Sequence, residues 1–142
     1  MKKYKINSDG RIVALKSGVW GDAGTIGGFV GSEHNLSQNG DCWVYENAYV
    51  SGNARVFGNA KVSGNTSVYG NARVYRHAQV YGNAKVYSNA CVSDNAWVFG
   101  DSQVSGNAFV SGNAKVSGTM KIKKSYNSPI NIEEISAELV LL

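Results

Sequence analysis

The sequence predicts an all-β chain wound as a triangular parallel β-helix, and three observations carry that prediction. From Val44 an aliphatic residue returns at every sixth position as far as Ile122, fourteen times in a row with no insertion. Ala stands two residues before most of these positions, as at Ala48, Ala54, Ala60, Ala72 and Ala78. Gly-Asn usually precedes that Ala, as in Gly52-Asn53 and Gly58-Asn59, so the unit is Val-x-Gly-Asn-Ala-x.

Each part of the unit has a physical reason. Ala and Val two residues apart point to the same side of a short strand, so both face inward. Gly and Asn tolerate the positive φ of a sharp corner. Three units close an 18-residue triangle, and the next coil stacks on it at about 4.8 Å, the ordinary strand spacing. The fourteen units then stand roughly 20–25 Å tall. Inside, like residues form columns, one of them Val50, Val68, Val86, Val104 and Ile122, another Val56, Val74, Val92 and Val110. At the corners Asn53, Asn71, Asn89 and Asn107 are placed to bond amide to amide along the axis.

With the repeat spelled out, the run from Val44 to Ile122 resembles the β-helix of the bacterial transferase hexapeptide superfamily. The Gly-Asn-Ala variant, preceded by Gly27-Gly28-Phe29-Val30 and Asn35-Leu36-Ser37-Gln38, is similar to hexapeptide-repeat proteins of phages and bacteria. The resemblance covers a little over half the chain. It implies a left-handed coil, a homotrimer, and a phage or mobile-element origin.

The ends are expected to cap the solenoid, which otherwise exposes strand edges. Residues 1–43 form an N-terminal capping segment, 44–122 the β-helix, and 123–142 a C-terminal capping or oligomerisation tail. Within the first, Tyr4 to Lys16 predicts a β-hairpin turning at Ser8-Asp9-Gly10, and the glycine-rich Gly18 to Gly31 predicts a loop. His34 to Gln38 is expected to be one degraded repeat with Gln38 in the place of Val. Ile132, Ile135, Leu139 and Leu142 suit a short helix in the tail.

Composition narrows the function classes. The net charge is +4, and seven Lys or Arg against three Asp or Glu place all of it on residues 44–122. That favours anionic partners mildly, and a nucleic-acid partner is not favoured. No apolar run approaches the length that spans a membrane, and the start Met1-Lys2-Lys3-Tyr4-Lys5 lacks the apolar stretch of a secretion signal. Cys42 and Cys91 do not make a disulfide framework. The expected location is therefore cytoplasmic, and a host cytoplasm if the chain is phage-encoded.

The residues bear on three kinds of chemistry. Acyl transfer is what the resemblance implies, and His77 is the one histidine of the coils to serve as its general base. Yet no loop breaks out of the helix between Val44 and Ile122, and a base needs an orienting partner and a pocket. A metal is not expected, because His34 and His77 are the chain's only histidines and no cysteine pair has ligand spacing. No cofactor is expected either. The third kind is ligand binding on the outer faces. Counting by 18 puts Arg55 below Arg73, Phe57 below Tyr75, Tyr69 below Tyr87, and Tyr81 below Phe99. Arg76-His77 stands where Gly-Asn is expected, with Asp94 one coil above Arg76. Arg55, Arg73, Tyr75, Arg76 and His77 are therefore the candidate ligand site, suited to a nucleotide base and its phosphate. Trp43, Tyr45, Tyr81, Trp97 and Phe99 share a face that should be partly covered, by another subunit or by the chain ends. The expected function is non-enzymatic: a binding protein that sequesters a small anionic, nucleotide-like ligand or inhibits a protein of host defence. The alternative is a hexapeptide-type acyltransferase using His77.

Overall fold

Every third strand of the repeat joins the same sheet, because each coil consumes 18 residues and the chain returns to register. The computed structural model describes residues 1–124, so the helix expected in 131–142 lies outside the described residues. The strands are β1 (Tyr4–Ile6), β2 (Arg11–Ala14), β3 (Ile26–Val30) and then two-residue strands β4 (Trp43–Val44), β5 (Tyr49–Val50), β6 (Arg55–Val56), β7 (Lys61–Val62), β8 (Ser67–Val68) and β9 (Arg73–Val74). They continue as β10 (Gln79–Val80), β11 (Lys85–Val86), β12 (Cys91–Val92), β13 (Trp97–Val98), β14 (Gln103–Val104), β15 (Phe109–Val110), β16 (Lys115–Val116) and β17 (Lys121–Ile122). One sheet runs β1-β2-β3-β5-β8-β11-β14-β17, a second β16-β13-β10-β7-β4, and a third β15-β12-β9-β6. Within the coils the pairing is parallel, Val on Val: Val50 on Val68, Val74 on Val92, Val80 on Val98.

The inward positions are dry. Every repeat Val and Ala is buried, and the two Ala positions held by Thr66 and Ser102 satisfy their hydroxyls locally. Thr66 Oγ1 donates to the Ser63 carbonyl and Ser102 Oγ to that of Phe99, each at 2.7 Å. Neither hydroxyl is left orphaned in the core, which would cost about 1–3 kcal/mol.

The corners work as the composition requires. Gly52, Gly58, Gly64, Gly70 and their counterparts above have φ near +65°. Glu46, Arg76, Ser88 and Asp94 adopt the same left-handed conformation without being glycine. One corner edge carries an unbroken amide ladder, Asn53 donating to Asn71, Asn71 to Asn89 and Asn89 to Asn107 at 3.2–3.3 Å.

The N-terminal segment departs from expectation twice. The hairpin forms, with Asn7 Oδ1 accepting from the Asp9 and Arg11 amides. But Gly18 to Gly31 is not all loop: β3 lies within it, antiparallel to β2 and parallel to β5. Its glycines serve close approach. A Cβ on Gly27 would sit 2.5 Å from the Val44 carbonyl oxygen, and one on Gly28 2.7 Å from that of Ala48. The second departure concerns Gln38. Leu36, not Gln38, is the inward residue and bridges Val56. Gln38 instead faces β1, its Oε1 accepting from the Lys3 and Tyr4 amides and its Nε2 donating to the Tyr4 carbonyl. Its carboxamide thereby occupies an edge strand that would otherwise be open to pairing. So the segment 1–43 supplies inward residues of its own, Val30 and Leu36, below the repeat.

The lower end of the Trp43 face is covered by the chain itself. Trp20 stacks on Trp43 at 5.1 Å and Tyr4 meets it edge-on at 6.3 Å, leaving Trp43 buried. Arg11 ties the hairpin to the first corner, donating to the carbonyls of Gly27 and Glu46 and to Asn47 Oδ1.

Candidate functional site

Outward side chains on neighbouring rungs are held in line because the strands beneath them are in exact 18-residue register. Arg55 on β6 pairs directly with Arg73 on β9. Both are exposed, and among the described residues neither guanidinium has an ion pair or hydrogen bond. Their strands lie about 4.8 Å apart, so two like charges sit side by side on one face. Two residues further along each strand, Phe57 and Tyr75 stack with centroids 4.8 Å apart and rings within 1° of parallel.

Arg55, Arg73 and Phe57 line a groove of about 640 Å³ whose lower wall is the capping segment, with Glu33, His34 and Ser37. Glu33 is the acid that lines this groove among the described residues, but its carboxylate is engaged. Lys2 Nζ lies 3.0 Å from Oε1, and Gln38 Nε2 donates to the same oxygen. Those bonds hold the Glu33 carboxyl below its ordinary range. His34 is engaged too, Nδ1 with Ser32 Oγ and Nε2 with the Gly52 carbonyl. The two arginines therefore remain the uncompensated charge of the groove. Cys91, next in the row after Arg73, feels opposing influences: burial pushes its thiol up and Arg73 pulls it down.

The other three expected site residues lie around the corner, in a second groove with Asp94, Asn95 and Gly112. Phe57 lines both grooves. Arg76 is not free there. Its Nη1 is 2.5 Å from Asp94 Oδ1, while Asp94 Oδ2 accepts from the Gly112 amide at 2.9 Å. The Gly112 amide first and the Arg76 guanidinium second hold the Asp94 carboxyl below the ordinary carboxylate range. His77 is exposed, and among the described residues its imidazole has no hydrogen-bond partner. Thus the structure does not gather three guanidiniums at one point. It leaves two on a face, unpaired among the described residues, and turns the third to an acid.

The part the sequence did not reveal is the lower wall. Glu33, His34 and Ser37 reach the groove because the first coil is longer than the rest: Val30 pairs with Val50 and Leu36 with Val56, each 20 residues on rather than 18. Gly40 already sits at a regular corner beneath Gly58, 18 residues on, so the two extra residues fall between Leu36 and Gly40 and leave no mark in the repeat. Among the described residues no three His, Cys, Asp or Glu are grouped to hold a metal ion, and no helix is long and apolar enough to cross a membrane.

No curated protein matches the chain. Residues 48–64 and 102–118 match the family model of the YdcK beta solenoid repeat. Each match spans close to one coil, β5 to β7 in the first and β14 to β16 in the second. The chain is thus a β-solenoid repeat protein, all-β in its described part, with coils similar to those of the YdcK repeat.

Proposed function

We propose that this solenoid is a non-enzymatic binding protein for a small anion bearing an aromatic group, of the nucleotide class, held on the face of Arg55 and Arg73. The observation that carries the reading is the pair itself: two exposed guanidiniums in register with, among the described residues, no acid paired to either. Such a pair is unfavourable alone and favourable around a phosphate, which accepts from both planar forks. The adjacent Phe57–Tyr75 stack offers an aromatic surface to a base. A homotrimer in a host cytoplasm, a phage origin, a hexapeptide-transferase ancestry and a role in countering host defence belong to the same proposal and rest on resemblance. An acyltransferase would need an oriented base, and among the described residues the His77 ring has no partner to orient it.

The test is calorimetric titration of nucleoside phosphates and inorganic phosphate into the parent and into Arg55→Ala with Arg73→Ala, at low and moderate salt. Loss of about 1.5–3 kcal/mol per charge-assisted bond predicts at least a tenfold weaker affinity in the variant. Equal binding by both proteins, or by neither, removes the proposal. Acetyl transfer from acetyl-CoA that vanishes in His77→Ala would replace it with the enzyme reading.

A further inference from the structure

At the foot of the solenoid, well inside the cap, a lysine and a cysteine are buried against each other. Lys3 and Cys42 are 1% and 0% exposed, and Lys3 Nζ lies 3.3 Å from Cys42 Sγ. Nζ has two further partners, the Cys42 carbonyl at 2.7 Å and the Gly40 carbonyl at 3.2 Å. Both carbonyls can only accept. Nζ thus donates toward three acceptors, the two carbonyls and Sγ; an amine that has lost one proton still serves both carbonyls with its two hydrogens and turns its lone pair toward sulfur. Burial acts the same way on both groups, lowering the Lys3 pKa and raising that of Cys42. The backbone carbonyls of Ser37, Asn39 and Val56 approach Sγ at 3.6–3.8 Å, an environment that disfavours any anion on sulfur.

We propose that Lys3 and Cys42 form an oxidative crosslink, an N–O–S bridge between Nζ and Sγ, with dioxygen as the oxidant. The stoichiometry balances. The amine and the thiol each give up one hydrogen, and the two leave together as water: R–NH₂ plus R′–SH plus O₂ yields R–NH–O–S–R′ plus H₂O. Nitrogen and sulfur lose two electrons each, and dioxygen takes all four. One oxygen atom stays in the bridge and the other leaves as water. Dioxygen is small and apolar enough to enter a closed apolar cap, whereas a sulfenate or sulfinate would put a charge among carbonyls. The bridge is neutral, and it fastens the residue before β1 to the residue before β4, cap to solenoid. This inference is independent of the anion site.

The test uses the full chain, purified in air and in parallel under reductant without oxygen. The aired protein should carry a species about 14 Da heavier, the change for one oxygen gained and two hydrogens lost, that reverts with dithiothreitol. In denaturant its thiol count should fall from two to one, and trypsin should no longer cut after Lys3. Peptide mapping should recover the Lys3 and Cys42 peptides joined. Cys91→Ser should keep the added mass and Lys3→Arg should lose it; mapping of the parent protein decides the matter even if Lys3→Arg does not fold. Unchanged mass with two free thiols would overturn the inference. So would a species about 2 Da lighter from a Cys42–Cys91 disulfide, or one about 32 Da heavier with sulfinate at Cys42 and Lys3 still cleavable.

Discussion

Two corner edges of the solenoid solve one problem with different chemistry. Along the edge of Asn53, Asn71, Asn89 and Asn107, identical amides bond upward from coil to coil. Along the edge of Asn59, His77, Asn95 and Asn113, His77 takes an amide position and the ladder does not form; Asn59 Oδ1 accepts instead from the Asp41 amide. Coil-to-coil contact there passes one residue earlier, from Arg76 to Asp94 and from Asp94 to the Gly112 amide. The same device recurs at Glu46, whose Oε1 accepts from the Gly64 amide one coil above. The difference teaches that a break in a repeat is not by itself a binding site. Arg76 is the most conspicuous departure from the repeat and is used to bridge rungs, while Arg55 and Arg73 sit at ordinary outward positions and are unpaired among the described residues.

The largest expected effect lies beneath both edges and should be indifferent to them. Val74 is fully buried between Val56 and Val92. Val74→Asp buries a charge with no partner and should destabilise by about 3–5 kcal/mol, read as a loss of most of the thermal transition or of soluble protein. A melting temperature within a degree or two of the parent would contradict the inward column. A smaller pair of substitutions separates the edges directly. Asn71 makes two ladder bonds, so Asn71→Ala should cost about 1–2 kcal/mol in chemical denaturation. His77→Asn returns the ladder residue to the other edge and should be neutral or stabilising by up to about 1 kcal/mol. If the two substitutions have equal effects, the edges do not differ as described.

Most of the solenoid is legible in the sequence because one number, 18, fixes every lateral contact. It places Val on Val, and it puts Phe57 on Tyr75, Tyr69 on Tyr87 and Tyr81 on Phe99, all within 3° of parallel. It also pairs Arg76 with Asp94. It fails where the spacing changes. The two additional residues in the first coil shift the inward position from Gln38 to Leu36 and hide the strand Ile26–Val30 among glycines whose purpose is close approach. The site was legible to the same extent. The period says which residues share a row, so Arg55 with Arg73 could be counted out. It does not say how the chain bends between Arg73 and Arg76, which divides the expected cluster between two grooves. Lys3 and Cys42 are 39 residues apart and belong to no repeat, so only the folded cap brings them together.

The smallest effect is also the sharpest test of how the irregular edge is held. Arg76 has φ +58°, a conformation that costs a non-glycine residue about 1 kcal/mol. Arg76→Gly removes that cost but adds freedom to the unfolded chain, about 0.5–1 kcal/mol the other way. It also removes an exposed ion pair, itself worth about 0–1 kcal/mol. Near neutral pH the three should leave stability within about 1 kcal/mol of the parent. The pH dependence is more telling. The Asp94 carboxyl is depressed in the folded state, so its contribution is present above the unfolded carboxylate pKa and is lost as pH falls through the lower folded value. Because the Gly112 amide is the larger cause and Arg76 the smaller, Arg76→Gly should shrink this acid-side loss without abolishing it. Asp94→Asn should remove the carboxyl titration altogether. Urea melts of the parent and both variants between pH 2 and 7 give the comparison. An Arg76→Gly curve as flat as that of Asp94→Asn would mean that the guanidinium alone holds Asp94, and that the bond to the coil above contributes nothing.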